Sequence, residues 1–136
     1  MKPTVELLAD APLIGAEGFD PFWDDVDPVR GHYDRNGEAI SFRTWCRLCE
    51  HVPDYRRVAA DTIGPYWVST VWLGIDHGLR LPGWGELAIF ETMVFKGEES
   101  DLDCRRYATE EDALVGHAEV VNEVSLLYEA GGEDRQ

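Results

Sequence analysis

Two runs, YWVSTVWLGIDH at 66–77 and ELAIFETMVFK at 86–96, constrain this chain more than any other feature. Both are dense in β-branched and aromatic residues, which suit a pleated surface and crowd a helix. The span between them, GLRLPGWG, holds three glycines and a proline. The two runs are therefore expected as antiparallel strands joined by a loop longer than a tight turn.

Alternation along the first run puts Trp67, Ser69, Val71, Leu73, Ile75 and His77 on one face. Tyr66, Val68, Thr70, Trp72, Gly74 and Asp76 fall on the other. Asp76 and His77 thus point apart and make no acid–imidazole pair while the strand stays regular. In the second run Glu91 stands in the middle of AIFETMVF. A carboxylate there must reach water, a cation or a donor, because an unpaired buried charge is very costly.

Around this pair the remaining elements read as follows. Asn36-Gly37 in HYDRNGEAIS predicts a short hairpin with a type I′ turn. Ser41 caps an amphipathic helix, FRTWCRLCEH, that Pro53 ends. YRRVAADT at 55–62 and DCRRYA at 103–108 are expected as further strands. The last helix opens at Thr109 with acids in its first turn and stops at Gly131-Gly132. Its apolar stripe is read as Leu114, Val121 and Tyr128, flanked by Ala113, Val120, Val124 and Leu127. The fold expected is a single α+β domain over residues 33–130, an antiparallel sheet of four or five strands with two helices packed mainly on one face. Residues 1–32 form an irregular acidic and aromatic segment, and residues 131–136 a frayed, disordered tail.

The formal charge of −15 is uneven. Residues 1–36 hold 8 acids and 3 bases, residues 37–107 hold 11 and 8, and residues 108–136 hold 8 and 1. Such a chain is ill suited to nucleic acid or an anionic membrane, because phosphate contacts need a basic patch. No apolar run is long enough to span a bilayer, and acids stand where a signal peptide would be apolar. A cytoplasmic protein is expected, in a bacterial cell or a phage-infected host. The three cysteines, Cys46, Cys49 and Cys104, suit reduced thiols better than a disulfide framework.

Candidate sites come from residues at odds with their surroundings. His77, Glu91 and His117 converge if the last helix packs on the main strand pair, which would give a buried acid and imidazoles fit for proton transfer. Against this, a helix histidine on an apolar stripe commonly packs and makes one hydrogen bond, and Glu91 can sit in an ion pair. Arg56 and Arg57 in DYRRV, and Arg105 and Arg106 in DCRRY, suit an anionic ligand or salt bridges to neighbouring acids. Phe22, Trp23, Asp24 and Asp25 in GFDPFWDDV must dock on the domain or on a partner. CRLCEH has the spacing of one zinc knuckle, but its cysteines fall on the apolar stripe of a helix and read as core thiols. No metal site or cofactor is expected, and no phosphate loop, HExxH or GxSxG is present.

The phrases YDRNGEAIS, YRRVAADTIG, VSTVWLGIDHG, IFETMVF and RYATEEDALVGH together resemble a family of small, uncharacterised proteins of actinobacteria and their phages. The resemblance spans residues 33 to 117 and implies such an origin; it carries no catalytic residue with it. The acidic N-terminal segment departs from the family's pattern.

The function expected is that of a non-enzymatic accessory or regulatory protein whose acidic surface or aromatic loop binds a basic protein partner. One alternative is a small hydrolase or ligand-binding domain using His77, Glu91 and His117. A second is an acidic nucleic-acid mimic that inhibits a DNA-binding protein.

Overall fold

The computed structural model describes residues 1–12, 21–26, 31–76, 87–98 and 103–131. Its elements run α1 (Thr4–Leu7), α2 (Pro21–Asp24), β1 (His32–Tyr33), β2 (Ala39–Ile40), α3 (Phe42–His51), β3 (Arg57–Ile63), β4 (Tyr66–Trp72), β5 (Phe90–Lys96), β6 (Cys104–Tyr107) and α4 (Glu110–Ala130). The architecture is α+β. A four-stranded antiparallel sheet of order β3-β4-β5-β6 stands beside the two-stranded β1-β2 hairpin. The N-terminal segment, read as irregular, contains the single-turn helices α1 and α2. Pro21 begins the second, a position where its missing N–H costs nothing.

The main pair forms in full register, Tyr66 opposite Lys96 through Trp72 opposite Phe90. β3 joins β4 through Gly64-Pro65, with Ile63 opposite Tyr66. Gly64 has φ +55. A positive φ followed by proline is the type II′ pattern, whose twist matches that of the strands it joins. The ring of Tyr128 also occupies the space that a Cβ on Gly64 would need.

The β1-β2 hairpin forms, but its turn departs from the I′ expectation. Asn36 does not take positive φ; Gly37 does, at +83. The reason is Asp34. Its Oδ1 accepts from the Asn36 and Glu38 amides at 2.9 and 3.0 Å, and Gly37 N–H donates to the Asp34 carbonyl at 3.0 Å. This carboxylate is fully buried and also accepts from Thr4 Oγ1 at 2.7 Å, which ties α1 to the hairpin. The side-chain cap outcompetes the tighter two-residue loop.

Both long helices start at the predicted caps. Ser41 Oγ accepts from Thr44 N–H at 3.1 Å, and Thr109 Oγ1 from Asp112 N–H at 3.1 Å. Each such cap is worth about 1 kcal/mol. Two apolar clusters lie between the helices and one face of the sheet. One gathers Leu48, Tyr55, Trp72, Ile89, Phe90 and Ala113; the other gathers Tyr66, Val68, Val94, Val120 and Val124. Trp72 joins the pieces, since its Nε1 donates to the Tyr33 carbonyl at 3.0 Å and its ring meets Tyr55 edge-on.

The apolar stripe of α4 needs correction. Its buried residues are Ala113, Gly116, His117, Val120 and Val124, whereas Leu114 and Leu127 face outward. The turn is set by close approach and by polarity. Gly116 lies against the Tyr107 ring, and His117 points inward to hydrogen-bond partners on the sheet. A helix rotated to bury Leu114 and Leu127 loses both.

Candidate functional site

Under α4 runs a chain of polar side chains at positions where apolar residues would be ordinary. His117 Nε2 lies 2.7 Å from Asp61 Oδ2 on β3, and its Nδ1 lies 2.7 Å from Thr70 Oγ1 on β4. Thr70 in turn meets Thr92 Oγ1 on β5. A carboxylate can only accept, so the order of donors follows for a neutral ring. Nε2–H donates to Asp61, Thr70 Oγ1–H donates to Nδ1, and Thr92 Oγ1–H donates to Thr70.

Acid, imidazole and hydroxyl in sequence have the connectivity of a nucleophilic triad, but the access is inverted. Thr70 and Thr92 are sealed beneath the helix, and the open end belongs to Asp61, whose side chain is 55% exposed. A substrate carbonyl has no route to the hydroxyl that would attack it. The chain instead satisfies three buried polar groups and fixes the height and rotation of α4 on the sheet.

Glu91 is on the opposite side. Phe90, Thr92 and Val94 face the helix and are buried, so Glu91 and Met93 project from the other face. There Glu91 Oε2 accepts from Arg106 Nε at 3.1 Å and lies 3.5 Å from Cys104 Sγ. Glu91 and His117 therefore do not converge, and His77 lies outside the described residues. The cysteines do not gather either. Cys46 and Cys49 lie on α3 and Cys104 on β6, and among the described residues no three His, Cys, Asp or Glu side chains are placed to hold a metal ion.

The arginine pairs have different fates. Arg105 clamps two acids, with Nη2 at 2.8 Å from both Asp103 Oδ2 and Glu123 Oε1, and so pins β6 to α4. Those hydrogen bonds raise the Arg105 pKa further, and the same bond holds the Glu123 carboxyl below its usual range. Arg106 serves Glu91. Arg56 and Arg57 are exposed at the start of β3, with Arg57 only 3.9 Å from Asp54.

The N-terminal aromatic segment folds back on its own domain. Trp23 stacks on Phe42 with ring centroids 5.2 Å apart. Arg43 grips Asp24 with Nε and Nη2 at 2.8 and 3.2 Å. Asp25 is exposed, and the side chain of Phe22 lies outside the described residues.

The outer surface of α4 is open. The helix carries Glu110, Glu111, Asp112, Glu119, Glu123 and Glu129, and no lysine or arginine. Among these acids Leu114, Val115, Leu126 and Leu127 are 46–58% exposed. Beside its C-terminal half a hollow of about 560 Å³ is lined by Tyr66, Val94, Lys96, Val120, Glu123 and Leu127. No described helix is long and apolar enough to cross a membrane.

Sequence reasoning singled out His117 but missed Asp61, Thr70 and Thr92. The signal was present: two threonines and a histidine at core positions must satisfy one another, and strand alternation places Thr70 and Thr92 on the inward face. Searches for a matching family model, curated protein or solved structure find none for this chain.

Proposed function

We propose that this is a binding protein, an accessory or regulatory factor that docks a basic protein partner on the outer surface of α4. The observation that supports this is the composition of that helix, six acids without a cation and four large aliphatic side chains left about half exposed. A helix covered by its own domain on one side alone is expected to be polar on the other. Exposed aliphatics among acids combine the apolar contact that gives affinity with the charge that selects a basic partner and speeds encounter. Glu111 and Glu119 meet no cation among the described residues, so their charge is available to a partner. The reading as a hydrolase built on His77, Glu91 and His117 draws no support from the described pair, since Glu91 and His117 stand on opposite sides of the sheet.

The test is affinity capture from source-cell extract at low and high salt, with the wild-type chain and with the double variant Glu111→Lys, Glu119→Lys. A basic protein held by the wild type, released by salt and lost in the variant is the expected result. Identical captures by both proteins would rule the α4 surface out as the docking site.

A further inference from the structure

The sheet has a second face that no described element covers. Its side chains fall in three cross-strand rows: Arg57, Val71, Glu91 and Arg106; then Ala60, Ser69, Met93 and Cys104; then Thr62, Trp67 and Phe95. The pattern is not that of a solvated sheet, whose outward residues are mostly polar. Trp67 is 44% exposed, and its ring lies 5.1 Å from that of Phe95.

We infer that this face is the interface of a homodimer in which two copies stack sheet on sheet. Two features of this face identify a second copy as the occupant. The first is charge. The chain as a whole carries −15, so nearly any contact between two copies brings acids together. On the open face the strands carry Arg57 and Arg106 against Glu91 alone, which leaves it without that repulsion and turns away the basic partner proposed for α4.

The second feature is shape. The outer row presents the large rings of Trp67 and Phe95, and the middle row beside it presents the small side chains of Ala60 and Ser69 with the adaptable Met93. A two-fold axis parallel to the rows and passing between them seats Trp67 of each copy over Ser69 of the other, and Phe95 over Met93. Rings fill depressions, sulfur meets an aromatic edge, and the strands of the two sheets run nearly aligned, the usual geometry of a β-sandwich. The face measures about 19 Å across four strands and about 20 Å along them, roughly 400 Å² per copy before side-chain relief. That is below the usual size of stable interfaces, so the dimer is weak and forms in a concentration-dependent way.

Sedimentation velocity on the full chain tests this. At a concentration of about 100 µM, in salt high enough to screen the net charge, the wild type should sediment with twice its chain mass of 15.4 kDa. Trp67→Asp should return it to the chain mass. Ser69→Lys, which fills the depression and leaves the tryptophan in place, should do the same. Leu126→Asp on α4 should leave the dimer intact. Far-UV circular dichroism checks that each variant is folded, and the Ser69 variant decides the matter if the Trp67 variant is not. A wild type that stays at the chain mass in both low and high salt overturns the proposal. So does a dimer that survives Ser69→Lys or is broken by Leu126→Asp. A wild type at the chain mass, or a dimer that survives Ser69→Lys, leaves the α4 reading untouched, because that reading is tested by capture of a basic protein.

Discussion

His117 Nδ1 lies 2.7 Å from Thr70 Oγ1, with both residues buried between α4 and the sheet. Deleting the ring leaves a cavity and strands the Thr70 hydroxyl without its acceptor, while Thr92 keeps Thr70 as a partner. His117→Ala should lower the unfolding free energy by about 2–4 kcal/mol, measured by urea denaturation. Asp61→Asn should cost less than about 1 kcal/mol, because that end of the chain is open to water. The diagnostic comparison is His117→Leu alone against His117→Leu with Thr70→Val and Thr92→Val. If the hydroxyls form one unit with the imidazole, the triple variant is the more stable of the two. Additive losses would show the residues to be independent.

Gly116 of α4 packs directly on the Tyr107 ring of β6. The ring and hydroxyl of Tyr107 occupy the space that a Cβ there would need. Alanine is the better helix former, by about 1 kcal/mol, so in an open helix Gly116→Ala would stabilise. Here the expected outcome is a loss of about 1–3 kcal/mol from overpacking. Repeating the substitution in a Tyr107→Ala background should recover the helix-propensity gain. Thermal unfolding of the four proteins in the cycle measures the coupling.

The His32 ring packs between Phe42 and Trp45, with centroids 5.3 and 5.4 Å away. Burial holds its pKa below the ordinary value. The unfolded chain therefore takes up a proton near pH 6.5 while the folded chain resists it. Stability is complete above about pH 6.5 and is lost as pH falls from there through the lower folded-state value. His32→Gln should flatten that part of the stability profile. The carboxyl of Glu123, held low by its hydrogen bond from Arg105, acts in a separate and more acidic window. Its contribution is present above the carboxylate range and lost as pH falls through its folded value. Glu123→Gln should alter only that window.

Cys104 is exposed, whereas Cys46 and Cys49 are half-buried on α3. Burial raises the pKa of both helix thiols, and the neighbouring Glu50 raises them further. The thiolate is the reactive form, so a short pulse of iodoacetamide at about pH 8 should label Cys104 first. Peptide mapping by mass spectrometry reads the order directly. Early labelling of Cys49 would mean that α3 opens readily from the Trp72 cluster.

Local chemistry made much of this architecture readable from the chain. Ser41 and Thr109 fix their helices because a hydroxyl can satisfy an orphan amide within one turn, whatever lies farther off. Trp67 through Trp72 and Phe90 through Phe95 declare strands because branched and aromatic side chains favour a pleated surface. The regular alternation ends at Trp72, where β4 stops and Gly74 takes φ +73, and His77 lies outside the described residues. Asp76 Oδ1 accepts the Ala88 amide at 2.9 Å and so holds together the two ends of the long connection.

What the sequence left open turned on the rotation of one helix. The leucines of α4 are apolar enough to suggest a stripe through Leu114 and Leu127. That stripe yields to one through Gly116 and His117, because only that rotation lets a small residue meet the Tyr107 ring and lets the imidazole find Asp61 and Thr70. Sequence spacing records which residues can share a face. It does not record distances between elements 20 to 60 positions apart, and those distances decide whether a histidine is a base or a brace. Tertiary packing placed Glu91 and His117 on opposite sides of the sheet, closed Thr70 to solvent, and left acids and leucines outward on α4. The chain determined its elements through short-range hydrogen bonding and side-chain shape; burial of polar groups, which must be satisfied across the whole fold, determined which faces those elements turn outward.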